Sequence, residues 1–138
     1  MTPEAAREEL SRRADAIEGG YEMMLAYAAQ GLATDQGAAN SNQLREHLQR
    51  FDAALTGLAQ AYRECAAALA VGPKDALDGF LRTLEADAAT TQAALRLVLG
   101  QDGISSQMID NMNASIHVRA LLTDVFVIDE ILRGSPRG

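Results

Sequence analysis

Apolar residues recur along most of this chain at alternating steps of three and four positions. The longest such series lies in the second quarter of the chain and consists of Leu44, Leu48, Phe51, Leu55, Leu58, Tyr62, Cys65 and Leu69. Similar series begin at Leu10 and at Leu77. This spacing gives each segment one apolar stripe when it is wound into a helix, with polar residues on the opposite face. The pattern predicts an all-α protein.

Capping residues, glycines and prolines divide the pattern into four long segments. Thr2 and Pro3 are typical of a helix start, whereas Gly72 followed by Pro73 is typical of a helix end. The predicted helices span residues 3–31, 41–70, 73–99 and 105–134. At about 28 residues each, they would be roughly 42 Å long. Helices of matched length joined by short connections predict an antiparallel up-down-up-down four-helix bundle with four long helices of similar length.

The chain length suits one domain. Its 138 residues can bury one core of ordinary size, so residues 1–134 are predicted to form a single domain and residues 135–138 a short mobile tail. The longest uncharged run covers residues 23–34 and falls short of the 18 or more residues that cross a bilayer. We therefore expect no membrane insertion.

Charge and cysteine content narrow the classes of partner. The formal net charge is −7 and the basic residues are spread along the chain, a distribution that disfavours binding to nucleic acid. The single cysteine, Cys65, has no second cysteine with which to form an internal disulfide. This composition fits a reducing compartment and predicts a cytoplasmic protein.

The fourth predicted helix carries more apolar residues than one stripe requires. From Val118 to Leu132 they cover most of the helix circumference. Such a helix is either the central, most buried helix of the fold or uses its second face for self-association or for a partner. The homodimer hypothesis assigns an interface to Val118, Leu121, Leu122, Val125, Phe126, Ile128 and Leu132.

Two adjacent glycines, Gly19 and Gly20, lie inside the first predicted helix, where each costs about 1 kcal/mol relative to alanine. Close packing of this helix against Ala53, Ala54 and Gly57 would offset that cost. The alternative is a kink that opens a ligand pocket. The pocket would be formed by Gly19, Gly20, Tyr21, Met24 and Tyr27.

The two histidines, His47 and His117, are the candidate nitrogen ligands for a metal. A di-iron helical bundle has a glutamate three residues before a histidine on two helices, but Leu44 and Ala114 occupy those positions here. Tight metal sites gather three or four ligands. We therefore expect no metal and no cofactor.

The segment from His47 to Gly57 is similar to the phosphoacceptor helix of histidine-phosphotransfer domains, which are four-helix bundles of about this size. The likeness covers about twenty residues and implies that His47 is the phosphoacceptor, with Arg50 one turn away to steady the phosphoryl charge. Arg50 and Phe51 stand where that family has a lysine and a glycine.

Polar residues are concentrated in two places that the predicted bundle brings to one end. Residues 110–115 contain two asparagines, which weaken a helix or make hydrogen bonds outside it, and the first connection is also polar. Together they suggest a recognition surface formed by Asp35, Asn40, Asn111 and Asn113.

The functional prediction follows from what the apolar stripes contain. They hold few polar groups that could converge in a cleft, and Cys65 lies among apolar residues that would leave its thiol unreactive, so we expect no enzyme. The sequence favours a small interaction or accessory protein, such as an assembly factor, chaperone or regulator, that acts by protein–protein contacts. A ligand-binding or sensory bundle using the Gly19–Gly20 region and a histidine-phosphotransfer module at His47 are the alternatives.

Overall fold

The computed structural model describes residues 2–135, which form six helices and no strand. The helices are α1 (Pro3–Ala29), α2 (Ser41–Leu55), α3 (Leu58–Ala68), α4 (Lys74–Leu99), α5 (Ser106–Ala114) and α6 (Ile116–Arg133). The all-α prediction is confirmed. The prediction of four long helices of similar length is wrong, because the second and fourth predicted helices are each divided in two.

The first division lies at Thr56 and Gly57. Thr56 is extended and Gly57 has a φ of +75°, a conformation that glycine adopts without a steric penalty. Carbonyl groups at the end of α2 are satisfied from other helices: Arg13 of α1 donates to the carbonyl oxygens of Ala54 and Thr56 at 2.9 and 2.6 Å. The break is therefore held by tertiary hydrogen bonds as well as by the glycine.

The second division lies at Ser115. Its extended backbone ends α5, and its hydroxyl accepts a hydrogen bond from the backbone N–H of His117 at the start of α6. Serine is a favoured N-cap, and the asparagines that precede it weaken the helix on the other side. The polar stretch of residues 110–115 thus ends one helix and begins the next.

The two long helices, α1 and α4, are connected by two pairs of shorter helices, α2 with α3 and α5 with α6. α2 packs on both long helices, and so does α3. On the other side α5 packs on α1, whereas α6 packs on α4. At the far end of α6, Arg7 of α1 donates to the carbonyl oxygen of Leu132, which ties the last helix to the first.

A continuous apolar core fills the space between these elements. Tyr27, Phe51, Leu84 and Leu121 are among the side chains with no exposed surface. Cys65 is also fully buried, and desolvation raises the pKa of its thiol, as its place in the apolar stripe predicts.

The single domain over residues 1–134 stays a prediction, and residues 136–138 of the predicted tail lie outside the described residues. Within residues 2–135, no helix combines the length and the apolar character needed to cross a membrane.

Candidate functional site

The carboxylate of Asp35 is the centre of a buried polar cluster at one end of the molecule. Arg45 donates to both of its oxygens, at 2.7 and 3.2 Å. The Ser41 hydroxyl and the backbone N–H of Ile104 also donate to it, each at 2.8 Å. We call these four residues the Asp35 lock, because they join the connection after α1, the start of α2 and the connection after α4.

The guanidinium of Arg45 extends the lock to the end of α4. It donates to the carbonyl oxygens of Leu99, Gln101 and Asp102, each at 3.2 Å. Hydrogen bonds from Arg45 hold the pKa of Asp35 well below its usual range, although burial of the carboxyl acts in the opposite direction. Asp35 is 1% exposed, so its place in the predicted recognition surface is wrong. A carboxylate committed to four donors is a structural anchor.

The three asparagines of the predicted recognition surface have different environments. Asn40 is half-buried beside the start of α2, and Asn111 is exposed on α5, where it accepts a hydrogen bond from Gln107. Asn113 is half-buried, and both polar atoms of its side chain are buried without a hydrogen-bond partner among the described residues. With Asp35 buried and the amide of Asn113 turned inward, the four residues do not form one continuous surface.

Gly20, but not Gly19, allows α1 and α2 to approach closely. A Cβ atom added to Gly20 would lie 2.7 Å from the ring of Phe51, whereas one added to Gly19 would meet the His47 ring at an ordinary 3.6 Å. The packing explanation therefore applies to Gly20, whose nearest neighbour is Phe51 and not the predicted Ala53, Ala54 or Gly57, and it does not apply to Gly19.

The predicted ligand pocket has no open space at its centre. The ring of Phe51 fills the region beside Gly20, and Met24 and Tyr27 are completely buried. The Tyr27 hydroxyl donates to the carbonyl oxygen of Ile104. Surface grooves of about 300 and 410 Å³ lie elsewhere, one beside Arg7, Cys65 and Asp129 and the other between α3 and the start of α4.

Replacing the two glycines one at a time by alanine is expected to change stability in opposite directions. Gly19→Ala gains about 0.5–1 kcal/mol, because alanine favours a helix and the new methyl group has room. Gly20→Ala loses about 1–3 kcal/mol, because the methyl group forces Phe51 from its place. Urea unfolding of the two variants measures the difference. Equal stabilisation by both substitutions would contradict the close approach.

His47 lies on the half-buried side of α2. Its Nδ1 atom is 2.7 Å from the carbonyl oxygen of Gln43 and donates a hydrogen bond to it, so Nε2 is the ring nitrogen that takes no part in this bond. Arg50 makes a 3.5 Å contact with Glu46, and both of those side chains are exposed. The Phe51 ring is fully buried against Gly20, so it does not cover the solvent-facing side of the His47 imidazole.

Two carboxyl groups meet between α4 and α6. Burial and the neighbouring carboxyl of Asp87 raise the pKa of Asp124 to about 7, and the Oδ2 atom of Asp124 is buried without a hydrogen-bond partner among the described residues. Loss of water and a second carboxyl nearby both disfavour the ionised form of Asp124. One turn along α4 from Asp87, the Thr91 hydroxyl is buried without a partner among the described residues. No group of three or more histidine, cysteine or acidic side chains in residues 2–135 is arranged to hold a metal.

The carboxyl pair predicts that the chain is more stable in mild acid than in mild base. Because the pKa of Asp124 is raised in the folded state, the folded chain keeps a proton that the unfolded chain releases, and this stabilisation is lost as pH rises from about 4 to about 7. Asp129, whose pKa is raised mainly by burial, acts in the same direction. Asp124→Asn is expected to flatten the pH dependence of the unfolding free energy measured by urea titration. The exposed control Asp110→Asn should leave it as it is. If both variants kept the full dependence, the raised pKa of Asp124 would be refuted.

The inward side of α6 belongs to the core of the single chain. Six of the seven residues of the predicted dimer interface are buried there: Val118, Leu121, Leu122, Val125, Ile128 and Leu132. These side chains pack within the chain itself, as expected if the fourth predicted helix is a central, buried helix of the fold. They offer no free surface to a second chain. Of the seven, Phe126 alone is exposed, at 62%.

The outward side of α6 carries large apolar side chains in contact with solvent. Ile116, Val127 and Ile131 accompany Phe126 there, and each is more than 40% exposed. Three exposed polar residues, Arg119, Thr123 and Glu130, lie on the same side of the helix at steps of three and four from Ile116 and Phe126. We call this set the outer α6 face. It is the largest group of exposed large apolar side chains on one helix among residues 2–135.

Comparison with known proteins finds no match: no family model, no curated protein and no solved structure is similar to this chain. The likeness to histidine-phosphotransfer domains around His47 therefore stays an expectation from a short stretch of sequence. The outer α6 face is the surface of the described residues with the clearest capacity for binding, because its apolar side chains are not needed to fill the core.

Proposed function

We propose that this chain is a small interaction or accessory protein, in the class of assembly factors, chaperones and regulators, and that the outer α6 face is its binding surface. The observation that carries the proposal is the exposure of Phe126, Ile116, Val127 and Ile131 on one helix whose other side already fills the core. Exposed apolar groups on a helix, bordered by charged residues, are typical of surfaces that bind another helix.

The alternatives have less support from the geometry. A ligand-binding bundle centred on Gly20 requires space that Phe51 occupies. For a histidine-phosphotransfer module, Phe51 stands where that family has a glycine, and its ring is fully buried against Gly20. The lone buried Cys65 fits a reducing compartment, and we propose the cytoplasm as the place where the chain acts.

Site-specific photo-crosslinking in the host cell tests the proposal. A benzophenone amino acid replaces Phe126, whose aromatic character it keeps, and the same residue replaces Leu97 of α4 as a matched control. Leu97 is 70% exposed but belongs to a different helix from the outer α6 face. We expect a protein crosslink from position 126 and none from position 97. No crosslink from position 126, or equal crosslinking from both positions, would refute the proposal.

A further inference from the structure

Polar residues on the outer α6 face are arranged in a way that is complementary to itself. One stripe of this face, continued by the exposed Arg133, follows steps of three and four in the order Ile116, Arg119, Thr123, Phe126, Glu130 and Arg133. Arg119 lies before the central Phe126, and Glu130 and then Arg133 lie after it. Such a stripe matches a copy of itself that runs in the opposite direction.

We propose that the outer α6 face binds the same face of a second copy of this chain, with the two α6 helices antiparallel and Arg119 of each copy opposite Glu130 of the other. This inference rests on the proposed function and names its partner. The register that pairs these charges also places Phe126 opposite Thr123 of the second copy. At the centre, the Phe126 ring of each copy then packs against Thr123 of the other, and an ion pair lies on either side of these two contacts.

The ends of the same register are also compatible. Ile116, which is 74% exposed, comes opposite Arg133 of the second copy, whose long aliphatic stem can cover it. Arg133 is itself 74% exposed and contacts Glu130 at 3.0 Å within the chain. An exposed pair of this kind contributes little to stability, so Glu130 remains available to Arg119 of the second copy.

Two other arrangements of the α6 helices bring like charges together. A parallel pair sets Arg119 against Arg119 and Glu130 against Glu130. An antiparallel pair centred on Phe126 sets Arg119 against Arg133. Like charges placed directly opposite one another oppose association, so the charge pattern disfavours both of these arrangements relative to the antiparallel Arg119–Glu130 register.

Charge reversal tests this register. Arg119→Glu and Glu130→Arg each replace two ion pairs by two like-charge contacts, and each is expected to weaken self-association by about tenfold or more. The double variant, Arg119→Glu with Glu130→Arg, exchanges the charges and is expected to return to within about threefold of the unmodified chain. Sedimentation equilibrium measures the three dissociation constants, and circular dichroism confirms that each variant is folded.

Rescue by the double variant has one structural explanation. Arg119 and Glu130 are eleven residues apart on the same helix, about 16 Å along its axis, so they do not pair within one chain. Rescue therefore requires contact between two copies. A chain that stays monomeric at every concentration, a dimer that neither single variant weakens, or a double variant as weak as the single ones would overturn the proposed pairing.

The crosslinked product from position 126 separates this inference from the function on which it rests. A product with twice the mass of the chain supports both. A product that joins the chain to a different protein overturns the pairing of two copies and leaves the proposed function standing. No product overturns both.

Discussion

Replacing Ile128 by aspartate is expected to unfold the chain. Ile128 is 1% exposed and lies on the inward side of α6, where the helix packs against α4. A carboxylate placed there has lost its water and gained no partner, a change that costs more than about 4 kcal/mol. Domains of this size are stable by only about 5–15 kcal/mol. Thermal and urea unfolding followed by circular dichroism should show a severely destabilised or unfolded variant.

The neighbouring Val127 supplies the matched control. It precedes Ile128 on the same helix but is 43% exposed, so Val127→Asp is expected to leave the chain folded with a change of less than about 1 kcal/mol. A folded Ile128→Asp variant that had only lost the ability to associate would mean that the inward side of α6 is an interface between chains. The binding surface would then be the inward side of α6 and not the outer α6 face.

Replacing Asp35 by asparagine is expected to have the second largest effect on stability. The amide keeps the shape of the carboxyl group but leaves the guanidinium of Arg45 without its countercharge. Loss of one partner from a buried ion pair costs about 3–5 kcal/mol, and because Arg45 is 27% exposed we expect the lower end of that range. Urea unfolding near neutral pH measures the loss.

Two further measurements identify the cause of that loss. In the unmodified chain the pKa of Asp35 is held low, so its stabilisation is present near neutral pH and is lost as pH falls well below the ordinary value for aspartate. Asp35→Asn should remove that acid-dependent loss. Glu46→Gln, which breaks the exposed contact with Arg50, serves as the control and should cost less than about 0.5 kcal/mol. If Asp35→Asn were as mild as this control, the lock would not be an anchor.

The helices could be predicted from sequence because their signal is local. Residues such as Leu44, Leu48 and Phe51 show the helical period within a few turns, and the structure buries all three. The break at Gly57 was missed because the apolar stripe continues across it from Leu55 to Leu58. Its signal is the pair Thr56–Gly57, which joins a β-branched residue to the one residue type that adopts a positive φ freely.

The Asp35 lock could not be derived from periodicity, because its members come from separate elements. One local signal was present: Arg45 is the fifth residue of α2, close to the positive end of that helix, where a cation needs a compensating partner. The Asp87–Asp124 contact gave no comparable signal. Exposed acidic residues are common on helices, and what brings these two together is the packing of α4 on α6.

The two sides of α6 show the same limit. The sequence indicates that this helix is apolar around most of its circumference, but the position of α4 decides which side is buried. Val125 and Ile128 turned out to belong to the core, whereas Phe126 faces solvent. Surplus apolar surface could thus be predicted for this helix, but its direction could not.

The most direct test of the outer α6 face is sedimentation velocity of the unmodified chain from micromolar to near-millimolar concentration, beside the variants Phe126→Asp and Leu97→Asp. We expect the unmodified chain and Leu97→Asp to pass from monomer to dimer as concentration rises. Phe126→Asp should remain a folded monomer, because each dimer would hold two of the new charges near its centre. Equal association of all three proteins would contradict the assignment of α6 as the binding surface.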